Sequence, residues 1–264
     1  MAEVGLLEPV AAGPRQVHRV EQIMGTAIGF DVRGPGVSPE AVDAAFELLR
    51  DVDARYSTYR PDSEVSRLIR GELDEETCAP DLRAILGLCE DLRRTSGGAF
   101  DIRRHRADGR PDPTGLVKGW AIEEASLVLD AAGAADYTIN AGGDIVARGE
   151  PEPGRAWRVG IRHPLLADRV AAVIAVRDLA VATSGGYERG DHIVDPRTGR
   201  SPRDLQSITV VGPSLTYADA YATIGFVLGL DGPAWVHDHP GYGAYAVTAD
   251  ERVVWTPVVD RLLA

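Results

Sequence analysis

Asp219 and Thr223 stand four residues apart in Tyr217-Ala218-Asp219-Ala220-Tyr221-Ala222-Thr223. On a helix that spacing stacks a carboxylate and a hydroxyl one turn apart on the same face. Both are hard oxygen donors of the kind Mg²⁺ accepts beside substrate phosphate oxygens, and the small alanines leave room for a ligand. The same spacing also suits a first-turn acid followed by a back-bonded core hydroxyl. Local spacing does not choose between the two.

A second cluster is Asp112-Pro113-Thr114-Gly115-Leu116-Val117-Lys118-Gly119-Trp120. A turn entering a helix here exposes free N–H groups and the positive end of the helix dipole, which suit an anion. Lys118 adds a point charge for phosphate, and Asp112 is an acceptor for ribose or base. The glycine spacing and Lys-Ser/Thr pair of a P-loop are missing. A capped helix start with a solvated lysine is the plainer alternative.

Further segments carry weaker chemistry. Paired glycines in Asn140-Ala141-Gly142-Gly143-Asp144 permit positive φ and close backbone approach, as an ordinary hairpin turn also would. His192-Ile193-Val194-Asp195-Pro196-Arg197-Thr198-Gly199 offers a histidine able to act as general base toward a hydroxyl, with Asp195 to orient it. Ser184 is a nucleophile only in a serine-hydrolase reading, and no G-x-S-x-G elbow surrounds it. Tyr59, in Ser57-Thr58-Tyr59-Arg60-Pro61, can stack on a planar ring or simply face solvent. Ser96-Gly97-Gly98-Ala99-Phe100-Asp101 reads as a helix-ending turn that can also line a pocket.

These residues need elements to position them. Residues 23–33 suit a first strand, and Ser38-Pro39-Glu40 starts a helix. Helices are expected over 62–70, about 80–95, 116–132 and 214–228. Strand patterns fall at 137–139, 145–146, 157–161, 170–176, 179–182 and 208–211, with a C-terminal hairpin from 245–247 and 253–255. Without regular βαβ alternation, this mixture predicts an α+β fold. No repeat or long linker divides the chain.

Composition narrows the function. The 264 residues can bury a full core, and the net charge of −12 argues against a general nucleic-acid or anionic-membrane surface. A phosphorylated ligand must then be held locally, by a metal ion, a few cations or backbone N–H groups. Cys78 and Cys89 lack the close pairing of a zinc site and read as buried free thiols. Residues Met1 to Arg19 show no basic and apolar signal pattern, so the expectation is a cytoplasmic protein without membrane partners.

Taken in order, the fragments resemble the ApbE family of FAD:protein FMN transferases. The likeness covers about residues 23–230. It runs from Met24-Gly25-Thr26 through Tyr59-Arg60-Pro61-x-Ser63, Gly98-Ala99-Phe100-Asp101, Asp112-x-x-Gly115-x-x-Lys118-Gly119 and Asn140-x-Gly142-Gly143-Asp144. Ser184-Gly185, His192-x-x-Asp195-Pro196-x-Thr198-Gly199 and Ala218-Asp219-Ala220-x-x-Thr223 complete it.

The resemblance implies an ApbE-like domain over residues 19–264 behind a flexible leader at 1–18. It implies Mg²⁺ held by Asp219, Thr223 and the carbonyl of Gly115. FAD, as substrate, would be bound by Met24, Tyr59, Ala99, Phe100, Asp101, Asp112, Lys118 and Ile193. His192 would be the base that activates a Thr or Ser hydroxyl of a cytoplasmic acceptor protein, and AMP would leave. The lysine loop departs from the family pattern at Pro113-Thr114 and Trp120, and the family's acceptor pattern is absent from this chain. An FAD pyrophosphatase releasing FMN to water is the alternative enzyme, and a non-catalytic flavin-binding protein the alternative of another class.

Overall fold

Residues 16–34, 37–104, 109–166, 168–186 and 193–264 are described by the structure, a computed structural model. The strand expected at 23–33 is β2 (Thr26–Arg33), and it is the second arm of a hairpin whose first arm, β1 (Gln16–Ile23), precedes it. Met24 and Gly25 form the hairpin's two-residue turn, with φ of 53° and 73°. Paired positive φ matches the twist of the flanking strands. The first strand was hidden because it is an edge strand with alternately exposed and half-buried residues, rich in Arg, Glu and Gln. Gln16, Val17 and His18 of the expected leader belong to it, and residues 1–15 lie outside the described residues.

Four helices follow or interleave: α1 (Pro39–Tyr56), α2 (Glu64–Arg70), α3 (Pro80–Thr95) and α4 (Thr114–Ala131). Ser38 and Ser63 cap α1 and α2 by accepting from the amides of Ala41 (3.3 Å) and Ser66 (3.0 Å). The strands β3 (Asp136–Ala141), β4 (Asp144–Arg148), β5 (Trp157–Arg162), β6 (Val170–Val176), β7 (Leu179–Gly185) and β8 (Leu205–Gly212) come next. Helix α5 (Leu215–Leu228), short α6 (Gly232–His237), strands β9 (Gly243–Thr248) and β10 (Val253–Trp255), and α7 (Pro257–Asp260) close the chain. Sequence patterning missed α6 and α7, short helices that open with Gly-Pro and Thr-Pro and so read as turns.

Eight strands form one sheet in the order β1-β2-β3-β4-β7-β8-β9-β10, with antiparallel neighbours throughout. Strands β5 and β6 form a separate hairpin. Strand alternation then sorts the core into two layers. Ala180, Ala182, Ile208, Val210, Ala244 and Ala246 face the helices, while Val181, Val211, Tyr245 and Val247 pack with Trp157, Val159 and Ile174 of the hairpin. Sheet strands covered on both faces show nearly continuous apolar runs. The α+β expectation is met.

Helix α5 lies between β7, β8 and α4. Its position explains an unusual feature of its sequence, apolar residues nearly all round. Asp219 is buried within that environment. An acid there calls for a partner.

Candidate active site

Two hairpin turns meet at one end of the sheet. The β3–β4 turn, Gly142-Gly143, has φ of 63° and 105° and lies beside the β1–β2 turn. The Gly142 amide donates to the Ala27 carbonyl at 3.2 Å, and a Cβ at Gly142 would stand 2.5 Å from Thr26 Oγ1. A side chain at 142 would force the two turns apart. Asn140 Oδ1 accepts from the Gly143 amide at 3.0 Å and closes the turn.

The same end receives the first turn of α4. Asp112 Oδ1 accepts from the Thr114 amide at 3.1 Å and its hydroxyl at 2.6 Å, which fixes the entry to the helix. Gly115 and Lys118 follow on the first turns. Gly119 then permits close contact with α5: a Cβ there would lie 3.0 Å from both Asp219 Cβ and the Leu215 carbonyl. This approach brings the Lys118 ammonium 3.8 Å from Asp219 Oδ2 and into an ion pair with Asp144 Oδ2. One turn along α5, Thr223 Oγ1 is 3.3 Å from Ser184 Oγ at the end of β7.

Two loops complete the enclosure. Ser96 Oγ accepts from the Phe100 amide at 3.1 Å, and Asp101 Oδ1 accepts from the amides of Arg103 (2.8 Å) and Arg104 (3.3 Å). Ala99, Phe100 and Asp101 are thereby buried in a fixed turn. The Asp195–Gly199 turn packs beside it, where Arg104 donates to the Pro196 carbonyl at 3.3 Å. Burial raises the Asp195 pKa, but hydrogen bonds and charge from Arg197 outweigh it and hold the carboxyl below its ordinary value. Asp195 engages the Arg197 guanidinium at 2.9 and 3.1 Å, so that turn is self-supporting.

Together these elements surround a cleft of about 540 Å³, within the range of small-molecule sites. Its lining contains Met24, Tyr59, Ala99, Phe100, Asp101, Asp112, Gly115, Lys118, Ile193, Asp219 and Thr223, so residues from six separate segments of the chain converge on one place. Tyr59 stands on the rim, 94% exposed. His192 lies outside the described residues; Ile193, its neighbour, lines the cleft. Asp53 and Tyr56 also line it and were not singled out by the sequence. Asp144 was visible only as part of the glycine turn, and nothing local marks it as the partner of Lys118.

The donor set fits a hard cation. Asp219 supplies a buried carboxylate, Thr223 a hydroxyl, and Gly115 a carbonyl with two lone pairs. Among the described residues, no group of three or more His, Cys, Asp or Glu is placed to hold a metal. A cation here would therefore depend on neutral oxygens and on the ligand's own phosphate oxygens, the habit of Mg²⁺ at nucleotide sites.

Fold and site define the class before the family. The structure superposes on the flavin transferase ApbE from Vibrio cholerae with a TM-score of 0.83 and 22% identity, covering 95% of this chain and 100% of that one. This is an α+β protein of the ApbE-like fold.

The family model described as ApbE family matches residues 24–108 and 102–246, and the chain belongs to that family. A Vibrio cholerae protein named FAD:protein FMN transferase is 27% identical, with 87% of this chain and 86% of its own length aligned. A Haemophilus influenzae protein of the same name is 25% identical over 76% of each chain.

Proposed function

We propose that this chain is an FAD:protein FMN transferase that uses Mg²⁺ and joins FMN to a Thr or Ser hydroxyl of an acceptor protein. The observation that carries the reading is the meeting of Lys118, Asp219 and Thr223 at one end of the 540 Å³ cleft. Membership of the family and the names of the relatives support the same activity.

The charge of the cleft supports the metal. Asp53, Asp101, Asp112 and Asp219 line it, with Lys118 among them. A pyrophosphate entering that field meets repulsion that one ammonium does not offset. When bound, a divalent cation at Asp219, Thr223 and Gly115 would neutralise phosphate charge and polarise the phosphoryl group.

The chain's own groups account for the remaining work. The Lys118 ammonium, beside the positive end of the α4 dipole, would hold phosphate oxygens. Phe100 and Tyr59 offer faces for planar rings. The acceptor oxygen attacks the FMN-side phosphorus, the P–O bond to the AMP half breaks, and AMP departs with the electron pair. His192 would take the hydroxyl proton, a role carried over from the family resemblance.

Separating the products of FAD with and without an acceptor protein tests the proposal. AMP formed in step with acceptor-bound FMN is the expected result. AMP matched by free FMN would make the chain a pyrophosphatase, and FAD bound but uncut would make it a binding protein.

A further inference from the structure

Asp144 opens β4 and is 3% exposed. A strand position this buried ordinarily carries a β-branched or aromatic residue, because an ionised carboxylate loses its hydration there. The hairpin turn does not require the acid, since Gly142, Gly143 and Asn140 already build it. Its Oδ1 accepts from the Thr183 amide on β7 at 3.4 Å, while Oδ2 is ion-paired with Lys118. The Lys118 ammonium thus lies between two buried carboxylates, in closer contact with Asp144 than with Asp219 at 3.8 Å.

We propose that Asp144 is a positioning residue, holding the Lys118 ammonium at the phosphate end of the cleft and limiting its pairing with Asp219, where a cation would bind. This inference rests on the FAD reading above. A lysine is a strongly hydrated point charge on a flexible stem. With Asp219 as its sole acidic neighbour, Lys118 would pair with the carboxylate that the cation needs, and the two cations would compete. Asp144 supplies a fixed second partner on a sheet strand. Lys118 would therefore stay aimed with a cation at Asp219, much as outer groups orient the direct ligands of metal sites.

The test is a double-mutant cycle on FAD affinity, read at equilibrium by flavin fluorescence with Mg²⁺ present. Asp144→Asn keeps an acceptor for the Thr183 amide and removes the charge. It should weaken FAD binding about tenfold, the scale on which lost outer partners act. Lys118→Met should weaken it at least as much, and the double variant should be no worse than Lys118→Met alone. A purely structural Asp144 would give additive losses, which overturns the proposal, as does unchanged affinity in Asp144→Asn. If Asp144→Asn fails to fold, Asp144→Glu carries the cycle: its loss should vanish in the Lys118→Met background, and persistence there overturns the proposal. Wild-type protein that binds no FAD would instead overturn the underlying reading, and the proposal with it.

Discussion

Gly119 and Asp219 touch where α4 and α5 cross: a Cβ on Gly119 would lie 3.0 Å from Asp219 Cβ and 3.1 Å from its Oδ2. The crossing sets how far the carboxylate stands from the lysine loop, so one missing methyl group links helix packing to the proposed cation site. Gly119→Ala should cost about 1–3 kcal/mol through overpacking and lower FAD cleavage at least tenfold. Urea unfolding and initial rates check the two effects together. A stable variant with full activity would show that the helices separate there at no functional cost.

Asp219→Ala should abolish turnover and divalent-cation binding measured by calorimetry. Thr223→Ser should retain both far better than Thr223→Val, because it keeps the hydroxyl. AMP release that continues unchanged in Asp219→Ala would sink the metal assignment.

His192→Ala should reduce FMN transfer by at least a hundredfold, the usual reach of general base catalysis, while leaving the Kd for FAD within a few fold. Equal loss of binding and transfer would make His192 a binding residue.

The Arg55–Asp81 pair, which meets the cleft-lining Tyr56, gives a pH signature in stability. Burial raises the Asp81 pKa, but hydrogen bonds from Arg55 and Tyr56 prevail and hold it at about 2, against an ordinary 3.8. A depressed folded-state pKa adds stability above the ordinary value, and that stability is lost as pH falls from 3.8 toward 2. Asp81 is 34% exposed, so screening leaves on the order of 1 kcal/mol. Asp81→Asn should therefore cost stability at pH 7 and progressively less below pH 4. A gap independent of pH would contradict the pairing.

Both cysteines should resist thiol reagents until the chain unfolds. Cys78 and Cys89 are buried, and burial pushes the Cys89 thiol up to about 12. Ellman's reagent at pH 8 should label neither in buffer and both in denaturant. Rapid labelling of the folded chain would contradict the burial of these thiols.

The parts of the site legible in the sequence are those whose partners are close along the chain. Asp219 and Thr223 share a helical turn, Asp112 and Thr114 a helix entry, and Gly142-Gly143 a hairpin. Local spacing carries such information. It does not carry the Lys118–Asp144 pair, which joins a helix to a strand, nor the Gly119–Asp219 contact between two helices. The edge strand β1 was hidden for another reason: its outer face meets water, so its residues alternate without an apolar period. Asp195 shows a different limit. The sequence set it near a histidine but gave no sign of its pairing with the Arg197 guanidinium two residues on.

The most direct test of the account is the intact mass of a peptide bearing the family's Asp-Gly-x-Ser/Thr-Gly-Ala-Ser/Thr acceptor pattern, after incubation with this protein, FAD and Mg²⁺. The expected result is a gain equal to one FMN joined through phosphate with loss of water, matched by AMP and prevented by EDTA. A peptide of unchanged mass while FAD is converted to free FMN and AMP would contradict it.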